Sequence, residues 1–463
     1  MRLAAGLAFV IAVAAWLMWQ APQRESSPGE AAIRRALVKG TGTIELPAGI
    51  IEIAAEIDLP DGAHDLEILG AAPGTTLRAS DHFRGRAIFR CDRASRIRFR
   101  NFRIDGNRGA NERRTGLPGF STTFARLASG NGILAVETAS LEISNVQFAN
   151  VAGFAILASR SRGVAIDHVE VENSGSRTLA GRNNTTGGIL LEEGTRDFTV
   201  TNCELRNIRG NGVWSHSLAT AAPNSNGRIA RNQFVRIGRD AIQVGEGTAI
   251  RVEDNRGSEI GWPLEDVDIE HGATPVALDT AGNTSRSVYT RNSFEEVNGK
   301  CIDLDGFHNG KVSANSCINR FGAEHYPFGN QGIVLNNSDP AMQSEWIELT
   351  DNRLDGTLFS GIFVIGEHHH IARNHLRRIN LAHCGGEGGL AACAYAPEQP
   401  DLLRSGIYLA SRGERFAPAR ANLIEDNEIS GFGMRAHCIA AASGVSLAAN
   451  TIRRNTCADE PAR

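Results

Sequence analysis

The chain has 463 residues, 41% of them hydrophobic, which is ample for a large core and excludes global disorder. Its formal net charge of −4, with no basic block, removes the electrostatic case for a nucleic-acid partner. Glycine is abundant and aromatics are few, a composition suited to many tight turns.

Residues 3–19 form an unbroken apolar run behind Met1 and Arg2, the pattern of an export signal. The run is at the short edge of a bilayer span, and residues 20–23 offer a poor cleavage site. Residues 1–20 are therefore expected to be a signal peptide or an uncleaved membrane anchor. Either way the protein is exported: periplasmic, extracellular or held at the outer face of the inner membrane. Any membrane contact would run through this segment alone.

After a linker at 21–29, residues 30–38 read as a short helix with Ala32, Ile33, Ala36 and Leu37 on one side. It is expected to cap the open end of the sheet that follows, since an uncovered edge invites aggregation. Residues 42–80 are short alternating strands broken at Pro47, Pro60-Asp61-Gly62 and Pro73-Gly74.

From Ala87 to about residue 457 one word recurs: a small residue, an aliphatic residue, one more residue, then another apolar one. Its aliphatic slot is aligned at Ile133, Ile156, Ile189, Val213, Ile242, Val276, Ile302, Ile333, Ile362, Ile407 and Ile439. A second marker, Asn followed two residues later by a bulky apolar residue, travels with it. It occurs at Asn232, Asn292, Asn315, Asn352, Asn374, Asn427 and Asn450. The period-two alternation in runs of three to five excludes helical repeats, and the strands are too short for propeller blades. About a dozen three-strand coils, stacked at ~4.8 Å, fit the pattern. The asparagines then form a column of mutually bonded amides with no chemistry of their own.

This pattern resembles the right-handed parallel β-helix of the pectate lyase (pectin lyase-like) superfamily, in its Pro-Gly entry coils and its asparagine column. The resemblance implies an all-β solenoid over 30–457 with a short tail at 458–463. It specifies fold better than function, because lyases, hydrolases, epimerases and tailspikes share it.

With the aliphatic slot inward, two lanes face outward. One carries Leu190, Trp214, Gln243, Ala277, Asp303, Val334, Phe363 and Tyr408; the other carries Glu192, His216, Gly245, Asp279, Asp305, Asn336, Ile365 and Ala410. An acidic centre flanked by aromatics suits a sugar chain, whose ring faces stack on aromatics while carboxylates and amides take the hydroxyls. Glu192, Trp214, His216, Gln243, Asn336, Phe363 and Tyr408 are the expected substrate contacts. Asp279, Asp303 and Asp305 are the expected catalytic groups, with Asp279 beside Asp305. Crowding three carboxylates should raise at least one pKa, and a protonated acid beside an ionised base is what glycosidic cleavage needs.

The polygalacturonases of the superfamily also place three aspartates on this face, but their Asn-Thr-Asp, Asp-Asp, Gly-His-Gly and Arg-Ile-Lys signatures are not matched. The corresponding stretch, IDLDGFHNGK at 302–311, separates its aspartates by one residue. His308 there is a candidate proton carrier and Lys311 a candidate contact for an acidic sugar. A lyase would need a cation, for which Asp279, Asp303 and Asp305 could supply calcium oxygens. Its base would come from Arg182, Arg239, Lys300, His325 or Tyr326. His368-His369-His370 is read as a polar turn.

Loops at 177–186, 217–227, 256–274, 320–331 and 381–404 are expected to wall the groove. Cys384 and Cys393, bracketing a Gly-rich loop, are the expected disulfide; Cys438 and Cys457 are a second candidate pair. Cys317 stands in a slot filled elsewhere by Phe294, Leu354 or Ile429 and is expected to be a buried thiol. The functional expectation is an extracytoplasmic lyase or glycoside hydrolase acting on an acidic polysaccharide or oligosaccharide. The alternative is a non-catalytic carbohydrate-binding or cell-surface adhesive β-helix.

Overall fold

The structure is a computed structural model that describes residues 26–114, 121–179, 181, 186–267, 269, 274–394 and 397–460. The expected signal or anchor and Arg182 lie outside these residues. Three parallel ladders run the length of the molecule. The first comprises strands such as Gly187–Glu192, Asn211–His216, Lys300–His308 and Ile362–Val364. The second includes Arg196–Thr201 and Val288–Thr290, and the third Glu204–Ile208 and Ser293–Val297. The third ladder has 14 strands, one per coil, in keeping with the expected dozen or so.

Helix Pro28–Leu37 packs against the first coil, with Ser27 capping its start and Ile33 and Leu37 buried; Ala36 faces solvent. The core is one continuous column of Ile, Leu, Val and Phe contributed by all three ladders. Stacking makes each coil's apolar face the partner of the next, so burial accumulates coil by coil.

The asparagine column runs Asn232, Asn255, Asn292, Asn315, Asn352, Asn374, Asn427, Asn455. Each of the first seven donates Nδ2 to the next Oδ1 at 2.8–3.0 Å. Each also donates Nδ2 to a second-ladder carbonyl of the preceding coil, as Asn292 does to Val252 O at 2.9 Å. Asn450 belongs instead to a second column with Asn422, one turn earlier in the coil. The expected loops at 217–227 and 256–274 partly resolve into strands, Asn224–Ala230 and Arg256–Ile260.

At the corner entering the first ladder, the residue just before the aliphatic slot also faces inward. It points at the third-ladder residue that follows the asparagine by two. A Cβ on Gly212 would lie 2.8 Å from Phe234, and one on Gly332 would lie 2.3 Å from Leu354. Small residues there are therefore required by bulk opposite. Two coils replace the small–bulky pair by two cysteines, giving the disulfides Cys301–Cys317 and Cys438–Cys457. Cys317 is thus bridged across the coil interior rather than a free thiol. Cys384–Cys393 closes its loop as expected, and Cys91 and Cys203 are the buried thiols.

Candidate functional site

The register of one strand reshapes the expected site. In Val276–Ser285 the aliphatic slot is Leu278, which pairs with Ile242 and Ile302; Val276 lies at the rim. Ala277 faces the core instead of the outward lane. Asp279 consequently stands between Gln243 and Asp303 in the first lane, while Asp305 pairs with Ala281 and Asn336 in the second. Asp279 is beside Asp303, not beside Asp305.

A third outward column, two residues before the slot, holds Asn211, Asp240, Val276 and Lys300. It adds an acid and a base that the two-lane reading did not contain, and places Lys300 on the strand itself rather than on a loop. Asn211 Nδ2 donates to Gln243 Oε1 at 3.1 Å. Gln243 Nε2 then donates to Asp240 Oδ2 at 2.9 Å and to Asp279 Oδ2 at 2.5 Å. Asp240 also accepts from Val276 N at 3.0 Å and lies 3.5 Å from Arg239 Nε. Lys300 Nζ forms an ion pair with Asp303 Oδ2. Asp303 Oδ1 is buried with no hydrogen-bond partner among the described residues, a costly state for a carboxylate oxygen.

Burial, then the charges of Asp240 and Asp303, push the Asp279 carboxyl well above the usual carboxylate range. Burial lifts Asp240 to about 6. Asp305 is likewise raised to about 6 by burial, against hydrogen bonds from Ser338 N and Oγ that favour its ionised form. Burial works against the Lys300 ammonium, but the Asp303 carboxylate outweighs it and raises the Lys300 pKa. The Asp279 and Asp305 carboxyls are thus both held above the ordinary carboxylate range, burial being the largest cause for each.

The flanks are less open than the lanes suggest. A short helix, Phe124–Leu127, folds over the N-terminal part of the face. Glu192, fully buried, accepts from Phe124 N at 2.9 Å and Ala125 N at 2.7 Å, so it anchors this cover instead of facing a groove. Burial lifts its pKa to about 7. Trp214 is half-buried against Phe124, 4.8 Å between ring centres, and against His216. Burial depresses His216 to about 4, leaving it neutral.

At the other end Tyr408 is buried, with its hydroxyl 3.0 Å from Gln399 Oε1 and its ring stacked on half-buried Phe363. The loop that carries Gln399 has closed over it. Ile365 and Ala410 turn into the core where their three-residue strands end. Asn336 stays on the face, its Oδ1 accepting from Glu414 N at 3.2 Å.

His308 Nδ1 lies 3.2 Å from Gly306 O, near the bend where the strand turns toward the second ladder. His325 and Tyr326 belong to an aromatic cluster with Trp262 and Phe321. Lys311 pairs with Glu348 at 3.2 Å.

Calcium does not fit the three aspartates. Lys300 already occupies Asp303, a Gln243 amide donor faces Asp279, and Asp305 is turned to Ser338. Among the described residues no group of three His, Cys, Asp or Glu is placed to hold a metal ion. In the histidine triplet, His369 is buried, accepting from Ile347 N at 3.2 Å, with its other nitrogen 2.9 Å from Ile365 O. His368 stacks on Trp346, and His370 pairs with Glu425.

A sequence profile described as "Right handed beta helix region" matches residues 86–261. No curated protein sequence matches the chain. Among solved structures, PfbA, a surface adhesin of Streptococcus pneumoniae, superposes with a TM-score of 0.54 at 15% identity, covering 76% of this chain and 88% of that one. Polygalacturonase from Erwinia carotovora gives 0.50 at 14% identity over 72% and 90% of the two chains. The catalytic domain of a family 87 α-1,3-glucanase gives 0.51 at 12% identity over 92% and 68%. At these identities the likeness is one of fold.

Proposed function

We propose that this chain, a right-handed parallel β-helix with the fold of the pectin lyase-like superfamily, is an exported glycoside hydrolase whose acid is Asp279 and whose base is Asp305. The observation that carries this reading is the strand register that sets Asp279 against Asp303, with Asp240 and Lys300 at the rim.

Asp279, held neutral by burial and by two neighbouring carboxylates, donates a proton to the glycosidic oxygen. Asp305, ionised above about pH 6, takes a proton from the attacking water. One strand spacing across and two residues along separate them diagonally by about 8 Å, within the ~6.5–9.5 Å that leaves room for a water and inverts the anomeric centre. Asp303 lies between them, and its unpartnered oxygen is positioned to accept a sugar hydroxyl. Lys300, kept protonated by Asp303, is a poor base for proton abstraction, which disfavours elimination. Three disulfides suit an oxidising compartment outside the cytoplasm.

The test is a screen of neutral and acidic polysaccharides read in parallel as new reducing ends and as absorbance of unsaturated product. The expected result is reducing ends without that absorbance, and an inverted anomer by proton NMR. Unsaturated product would replace hydrolysis with elimination. Binding without turnover would return the chain to a non-catalytic, adhesive role.

A further inference from the structure

A cleft of about 890 Å³ lies away from the acidic row, where the third-ladder strands Ser316–Ile318, Arg353–Asp355, His375–Ile379 and Glu428–Gly431 end. Here two long loops, at 319–331 and 380–406, rise on either side of it.

Both walls are braced before any ligand arrives. In the first, Arg320 makes two hydrogen bonds to Glu295, at 2.9 and 2.8 Å, and the buried Tyr326 hydroxyl holds Glu296 while accepting from Phe321 N at 3.1 Å. In the second, the Cys384–Cys393 disulfide closes the loop, and Asn380 Oδ1 accepts from Cys384 N at 2.8 Å. Two phenylalanine rings line the cleft, one on the first wall and one just past the strand Glu428–Gly431. Phe321 is 52% exposed and lies on His325, while Phe432 is stacked flat on His383 at 4.4 Å.

The charges of the lining balance. Arg320, Arg377 and Arg378 face Glu324, Asp355 and Glu460. Arg378 is bound to Asp355 at 2.6 Å, whereas Arg377 reaches Glu460 only at 3.7 Å and keeps its fork of donors largely free. A balanced cleft gives no net attraction to an ionic ligand. Two rings together with forked donors and carboxylate acceptors in one lining match the apolar faces and paired hydroxyls of a sugar chain, and the volume is that of a small-ligand pocket.

We infer that this cleft is a second carbohydrate site that binds a neutral oligosaccharide segment between Phe321 and Phe432, with Arg377 on its hydroxyls. It is separate from the acidic row and stands whether or not that row is catalytic. Fixed walls reduce the ordering cost of binding.

Isothermal titration of the full chain with β-1,4-, α-1,4- and α-1,3-linked gluco-hexasaccharides, and with hexagalacturonate as the charged comparison, tests the inference. At least one neutral probe should bind. Phe321→Ala and Arg377→Ala should each weaken it roughly tenfold, with melting temperatures unchanged. Arg377→Lys should recover only part of the loss, because it keeps the charge and loses the fork. The inference is overturned if no neutral probe binds or if hexagalacturonate binds more tightly. It is equally overturned if Phe321→Ala keeps full affinity for that probe, which would assign the glycan to another face.

Discussion

Replacing Asp305 by Asn should raise stability while abolishing turnover, and both magnitudes follow from its surroundings. The folded pKa of about 6 lies above the ordinary 3.8, so the folded state holds the proton more tightly between those values. Stability therefore falls as pH rises across that window and levels off above it. A carboxyl raised from 3.8 to about 6 weakens folding at neutral pH by about 3 kcal/mol, at ~1.36 kcal/mol per pH unit. Asparagine removes the buried charge and keeps an oxygen to accept from Ser338 N, now 2.7 Å away. The variant should gain ~1–3 kcal/mol at pH 7 and nothing at pH 4, where the parent is already neutral. Urea denaturation of both proteins at pH 4, 5, 6 and 7 measures this directly. Turnover should fall at least ~100-fold, the usual contribution of a positioned base. A variant no more stable than the parent at pH 7, or a parent equally stable at pH 4 and 7, would mean that folding does not raise the Asp305 carboxyl.

Non-reducing peptide mapping should recover Cys301 joined to Cys317, and Cys301→Ala with Cys317→Ala should cost about 3 kcal/mol in denaturation, the closure entropy of a loop of this size. Asn292→Ala leaves Val252 O and the Asn255 donors without their partner and should cost at least ~2 kcal/mol in the same assay, at ~1–3 per orphaned buried group. Glu192→Ala frees the N–H groups of Phe124 and Ala125, so limited proteolysis should cut within 106–130 far sooner than in the parent.

Much of the fold is written in the alternation around Ile302 and in the asparagine marker, because stacking repeats the same local demand in every coil. What escaped is a rule that compares two positions instead of reading one. The residue before each aliphatic slot must be small, as in Gly212, Ala241 and Gly332, because a bulky residue faces it across the coil. Applied to TPVALDT, that rule chooses Leu278, preceded by Ala277, over Val276, preceded by Pro275. It would have placed Asp279 beside Asp303. It would also have paired Cys301 with Cys317, since cysteines fill both members of the small–bulky pair. Asn255 was missed because Gly257 follows it where a bulky residue usually stands. The covers over Glu192 and Tyr408 had no periodic signal, since each is made by a single irregular loop. The rim column that supplies Asp240 and Lys300 was legible but lay two residues before the slot, on the side of the word that the lane pattern left unread.

Asp279 as proton donor is tested by comparing kcat/KM of the parent and Asp279→Asn across pH on a glycan that the parent cleaves. Raised by burial and by Asp240 and Asp303, Asp279 should keep the parent active through neutral pH, with activity falling below about pH 6 as Asp305 takes up a proton. Asp279→Asn should lose at least ~100-fold at every pH, with the melting temperature held or raised. A variant that keeps the parent's rate, or a parent whose activity survives unchanged well below pH 6, would contradict the assignment and move the chemistry off this face.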